Sequence, residues 1–156
     1  MNVSELCNVP REVTLGNFTF KIRRLNIQEL FGFFEEKIRA KKIREAQQMA
    51  SIMEPQDRTS FMVSVWKELP SGTELTDQVT DLMTSVDGVY DMLYLAGKDF
   101  GITLEDIRGK VTIDMLPEIS PIVSWITGMG ENEAKTIGDL EKKTETETKV
   151  EVVEEK

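Results

Sequence analysis

Histidine is absent from the 156 residues of this chain, and cysteine occurs once, at Cys7. The absence of histidine removes the commonest general base and the commonest transition-metal ligand, which disfavours both catalysis and a metal centre. A lone cysteine cannot form an internal disulfide, so nothing points to an oxidising compartment. We therefore expect a protein that is not an enzyme and that uses no cofactor.

Long apolar runs are also missing, since no stretch approaches the roughly 20 residues that a membrane-spanning helix needs. Residues 1–10 lack the basic start and the apolar run of a signal peptide. We therefore expect a cytoplasmic protein that makes no membrane contact.

The chain divides into two parts of different composition. Between residues 131 and 156, Glu, Thr and Lys alternate and little apolar surface is available for burial. Such a segment cannot recover its ordering entropy and is expected to be disordered. Residues 1–130 carry regular apolar patterns and are long enough to bury a core. The sequence predicts a mainly α fold, in which a small helical bundle with an N-terminal β-hairpin is followed by a disordered acidic tail.

The hairpin is predicted at about residues 12–24. Apolar and polar residues alternate on both sides of Gly16-Asn17, and a glycine there supplies the positive φ that a tight turn needs. Asn26 then has the character of a helix N-cap, with Glu29 in the position that completes a capping box. The helix that follows is predicted to run to about Met53, with three residues expected in the core: Phe31, Phe34 and Ile38.

Four further helical stretches are predicted from apolar spacing and from Pro and Gly punctuation. Pro55 fits the first position of a helix with an apolar stripe, and the cleanest seam in the chain runs from Leu75 to Leu93. Asp87-Gly88 falls inside this seam, so the stretch is either one helix or two helices with Asp87 capping the second. A short helix is predicted from about Leu104 to Gly109, and a last one, kinked or starting late, near Pro117 and Pro121.

Charge is unevenly distributed along the chain. The net charge is -9, yet residues 21–44 are +5 and the remainder is -14. Lys37, Lys41 and Arg44 are spaced to share one helix face, which predicts a docking surface for an acidic protein segment, the chain's own tail included, or for a phosphate backbone. The alternative is a solvated helix face, which is what charge runs on helices usually form. Nucleic acid is disfavoured as a partner, because the field of the acidic molecule as a whole repels phosphate. The absence of interleaved aromatic residues in this block also argues against stacking of single-stranded bases.

Methionine is abundant, with eight residues in the chain. Its flexible thioether suits surfaces that accept varied apolar partners, so Met49 and Met53 join Lys37, Lys41 and Arg44 as candidate partner-binding residues. Gap-filling in a loose core is the alternative.

The order of elements resembles one family. A strand, a glycine turn and a second strand at residues 12–25 lead directly into an amphipathic helix, an acidic helical body and a polar tail. This arrangement resembles the tail assembly chaperones of long-tailed, siphovirus-type bacteriophages. The resemblance implies a non-enzymatic protein in the host cytoplasm that self-associates, binds the tape measure protein, and keeps it soluble until tail-tube proteins polymerise around it. It transfers no site residues, because the family has no catalytic signature to match.

Two other functions remain open from the sequence. The first is a structural phage tail or head-tail connector subunit that stays in the particle. The second is a small nucleic-acid-binding regulator that uses the basic helix at residues 37–44.

Overall fold

The computed structural model describes residues 9–128, in which one β-hairpin is followed by six α-helices. This confirms the predicted mainly α fold with an N-terminal hairpin. The predicted tail at residues 131–156 lies outside the described range. The strands are β1 (Arg11–Leu15) and β2 (Phe18–Ile22), and the helices are α1 (Ile27–Ser51), α2 (Pro55–Lys67), α3 (Gly72–Thr84), α4 (Val86–Gly97), α5 (Leu104–Lys110) and α6 (Leu116–Thr127). Short 3-10 turns lie at Lys98–Phe100 and Ile113–Met115.

The β-hairpin forms where the alternating pattern predicts it. The strands are antiparallel with Val13 opposite Phe20, and Gly16 in the turn has a φ of 58°. Because successive side chains of a strand point to opposite faces, one face of the hairpin is apolar and becomes buried. Its buried residues are Val13, Leu15, Phe20 and Ile22.

Helix α4 lies at the centre of the core and contacts β2, α3, α5 and α6. Its residues Met92, Leu93, Leu95 and Ala96 are all buried. The backbone N–H of Arg23, just after β2, donates a hydrogen bond to the carbonyl of Ala96 at 3.0 Å. The hairpin is therefore attached to α4 by backbone hydrogen bonding as well as by apolar packing.

Helix α1 begins as the sequence predicts, because the Asn26 side chain accepts a hydrogen bond from the N–H of Glu29 at 2.7 Å. The Glu29 carboxylate does not return to the cap and instead pairs with Arg23 at 2.5 Å. Of the three residues expected in the core, Phe34 is fully buried, whereas Phe31 and Ile38 are half-buried at its edge.

The long apolar seam is divided into two helices at Ser85, and the predicted capping role of Asp87 is wrong. Ser85 is the cap of α4, since its hydroxyl accepts a hydrogen bond from the N–H of Gly88 at 3.0 Å. Val86 consequently falls at the first residue of α4 and is 39% exposed instead of continuing the seam. A Cβ at Gly88 would overlap the backbone carbonyl of Leu82, so the return of the chain onto α3 requires glycine.

The last two helices also follow their predicted signals. Thr103 and Asp106 form a reciprocal capping box at the start of α5. Helix α6 begins at Leu116 and continues through Pro121, so the chain accepts proline inside this helix without a late start.

Candidate functional site

A helical hairpin, formed by residues 46–67 from the end of α1 to the end of α2, carries unusually little burial. None of the α2 residues is fully buried, although Phe61, Met62 and Val65 form a half-buried stripe toward α1. On the α1 side, contact is made through small side chains, because the buried residues of this part of α1 are Ala46 and Ala50. The helical hairpin thus has an apolar pattern, but within it no residue larger than alanine is fully buried.

Large apolar side chains are exposed on this helical hairpin. The exposed fractions are 59% for Met49, 88% for Ile52, 48% for Val63 and 58% for Trp66. Single exposed apolar residues are ordinary on protein surfaces, whereas these four lie within one supersecondary unit. We refer to these four residues as the apolar surface of the helical hairpin. Of the two predicted partner-binding methionines, Met49 belongs to it, and Met53, just after α1, is half-buried.

A groove of about 830 Å³ lies between α1 and the junction of α3 with α4. The three predicted cationic residues all line it, so the structure brings Lys37, Lys41 and Arg44 together, while Met49 and Met53 are not among its lining residues. Its wall also includes Lys42 from α1 and Arg108 from α5. We call it the basic groove, because five cationic side chains and only three carboxylates line it, those of Glu45, Asp81 and Asp87.

Several cations of the basic groove are already paired. Lys37 forms an ion pair with Asp91 of α4, Arg108 lies 3.5 Å from Asp87, and Lys41 lies 4.0 Å from Glu45. Within residues 9–128, Lys42 and Arg44 form no ion pair. Ile38 and Leu82 line the same groove and are half-buried. The groove can therefore offer both cationic and apolar contacts to a bound segment.

Sequence reasoning missed two residues of this groove region, Asp91 and Arg108. Arg108 comes from α5, far from the basic block, and no local pattern indicates it. Asp91 does carry a signal, since it stands within the apolar run of α4, and it is only 2% exposed. A carboxylate in such a run is expected to have a cationic partner, because burying an unpaired charge is costly.

Two carboxylates of the described residues have pKa values that are lowered by hydrogen bonding. The Arg23 guanidinium lowers the pKa of Glu29 by hydrogen bonding, and hydrogen bonds from Thr103 lower the pKa of Asp106. Both shifts favour the charged carboxylate, whereas a carboxyl group that acts as a general acid near neutral pH needs a raised pKa. Within residues 9–128, no group of three or more Cys, Asp or Glu side chains is placed to hold a metal ion.

Comparison with family models, with curated proteins and with solved structures finds no match for this chain. None of the helices in the described part of the chain is long and apolar enough to cross a membrane.

Proposed function

We propose that this protein is a non-enzymatic chaperone or scaffold that binds an apolar helical segment of another protein, namely the tape measure protein during phage tail assembly. The observation that carries the proposal is the exposed apolar surface of the helical hairpin at Met49, Ile52, Val63 and Trp66. The choice of tape measure protein rests on the family resemblance.

The physical basis is the binding of an amphipathic helix by apolar side chains on the surface of a helical protein. Methionine suits this role because its flexible side chain adapts to the shape of the partner. Tryptophan suits it because its side chain supplies a large contact area. The net charge of -9 favours solubility of the complex by mutual repulsion between copies. In this proposal several copies self-associate along the partner in the host cytoplasm, and tail-tube protein displaces them.

The charge pattern of the basic groove supports a protein partner over nucleic acid. Three carboxylates line the groove, and three of its cations are engaged in ion pairs, which leaves few charges to neutralise phosphates. A nucleic-acid binder would instead show affinity that falls steeply with salt.

A structural tail or connector subunit is distinguished by mass spectrometry of purified virions, in which a chaperone is absent and a subunit is present in fixed stoichiometry.

The proposal is tested by co-expressing this chain with the proposed tape measure partner and measuring the soluble fraction of that partner. We expect the soluble fraction to rise with the parent chain and to fall back with the double variant Ile52→Ser/Trp66→Ser. The matched control is Ile113→Ser, because Ile113 is 65% exposed but lies outside the helical hairpin. The proposal fails if the tape measure protein is equally soluble alone, or if the double variant and the control behave alike.

A further inference from the structure

We propose that the basic groove binds residues 150–155 of this same chain. The apolar surface of the helical hairpin, which carries the proposed function, is not part of this groove. The chemistry of the groove and the composition of this segment are complementary.

The residues that line the groove determine which kind of segment it can bind. Ile38 and Leu82 offer half-buried apolar contact, and Lys42 and Arg44 are cations with no ion-pair partner within residues 9–128. A fitting segment therefore carries aliphatic side chains together with carboxylates. A dense polyanion fits less well, because Glu45, Asp81 and Asp87 also line the groove and would repel it.

Residues 150–155 have this composition. Of the six-residue windows between residues 129 and 156, this is the one that contains three aliphatic residues, three carboxylates and no cation. Between residues 131 and 149 the longest window without lysine is 136–141, and it holds only two aliphatic residues and two carboxylates. The aliphatic residues are Val150, Val152 and Val153, and the carboxylates are Glu151, Glu154 and Glu155.

The dimensions are compatible with this contact. The groove follows α1 from Lys37 to Glu45, which is about 12 Å at 1.5 Å per helical residue. Four residues of extended chain cover a similar distance at about 3.3 Å each. The 21 residues from 129 to 149 could span up to about 70 Å, whereas the radius of gyration of a 120-residue domain is about 14 Å. Chain length therefore does not prevent residues 150–155 from reaching the groove.

A weak intrinsic affinity is sufficient, because the segment and the groove belong to one chain. A short tether gives an effective concentration in the millimolar range, so a Kd of about 1 mM would fill the groove about half of the time. Because the contact is partly electrostatic at an accessible surface, it weakens when salt shortens the Debye length from about 30 Å at 0.01 M to about 3 Å at 1 M.

The test uses the full chain with a nitroxide spin label at Thr148→Cys in a Cys7→Ser background. We expect the label to broaden the backbone amide NMR signals of residues 38–44 and 81–85 at low salt, and the signals to recover in high salt. Two charge reversals on the same helix form a matched pair. Lys42→Glu, which lines the groove, reduces the broadening, whereas Arg39→Glu, which is exposed and does not line it, leaves the broadening unchanged.

A mixture of isotope-labelled chains without the nitroxide and spin-labelled chains without the isotope separates contact within one chain from contact between copies. Our proposal requires that the groove signals stay sharp in the mixture. Broadening of equal strength in the mixture would show that the segment comes from a second copy and would overturn the proposal. Full-intensity groove signals at low salt in a chain that carries both the isotope label and the nitroxide would overturn it as well.

Discussion

Lys37 of α1 forms an ion pair with Asp91 of α4, whose side chain is almost completely buried. The two residues are 54 positions apart in the sequence, and the pair joins a wall of the basic groove to the central helix of the core. Lys37 is 39% exposed in its side chain, so water reaches the cationic end of the pair.

Removing the cation from this pair is expected to destabilise the fold. Lys37→Met leaves the Asp91 carboxylate buried without its partner, which costs about 1–3 kcal/mol of unfolding free energy. Urea denaturation measures the change, and Arg39→Met on the same helix, which removes an exposed cation, is the control. In the double variant Lys37→Met/Asp91→Asn we expect a smaller loss than the two single changes add up to. Strict additivity of the two losses would show that the pair is not coupled.

Two helical glycines are expected to respond to alanine in opposite directions. At Gly88 a Cβ would lie 2.8 Å from the carbonyl carbon of Leu82 and 2.9 Å from the Cα of Met83, so the junction of α3 with α4 must shift. We expect Gly88→Ala to destabilise the protein by about 1–3 kcal/mol or more, as overpacking does. At Gly32, in α1, nothing lies within 4 Å of an added Cβ, so Gly32→Ala should stabilise by about 0.5–1 kcal/mol. Thermal unfolding of both variants checks the pair, and equal shifts in Tm would contradict the crowding at Gly88.

Stability is expected to decline in acid through Glu29. In the folded state, hydrogen bonds from Arg23 lower the pKa of Glu29 below its ordinary value of 4.5. As the pH falls, the unfolded chain therefore takes up a proton at this carboxylate before the folded chain does. The stabilisation is therefore complete above about pH 4.5 and is lost as the pH falls through the lower folded pKa. Urea midpoints measured between pH 7 and pH 3 should show this decline in the parent chain. Glu29→Gln should remove the share of this decline in stability that is due to Glu29. The share due to Asp106, whose pKa is lowered by hydrogen bonds from Thr103, should remain. Parallel profiles for parent and variant would count against the role of Arg23.

Substitutions of two aromatic residues, one in the core and one on the proposed partner surface, are expected to differ in their effect on stability. Phe34 is fully buried and packs edge to face against Phe33 with ring centroids 5.3 Å apart, so Phe34→Ala should cost about 3–5 kcal/mol. Trp66 is 58% exposed on α2, so Trp66→Ala should change stability by less than about 1 kcal/mol. Both are measured by urea denaturation followed by circular dichroism. A loss at Trp66 as large as that at Phe34 would mean that Trp66 is a core residue.

Local signals predict much of this fold. The alternation around Gly16 defines the hairpin, Asn26 defines the start of α1, and Pro55 defines the start of α2. These features depend on residues close together in the chain, where turn and capping chemistry acts. The division of the apolar seam at Ser85 was placed wrongly, because an aspartate and a serine are both good caps and only the packing of Gly88 against Leu82 selects between them.

The candidate site was predictable only in part, because its contacts are non-local. Helical spacing correctly placed Lys37, Lys41 and Arg44 on one face, since that depends on α1 alone. The pairing of Lys37 with Asp91 and the arrival of Arg108 from α5 depend on how separate helices pack. Helical spacing also does not show that α2 lacks a fully buried residue, because its stripe has the same pattern as that of a core helix.

The sparse burial of α2 has a consequence for the dynamics of the protein. A helix that gives up little apolar contact on leaving its neighbour opens at a free-energy cost well below that of global unfolding. Amide hydrogens of residues 56–67 should therefore exchange with solvent deuterium much faster than those of α4, while the core stays folded. Under the proposed function, partner binding would begin with a helix that can leave and redock, so the shape that α2 offers to a partner would be adjustable.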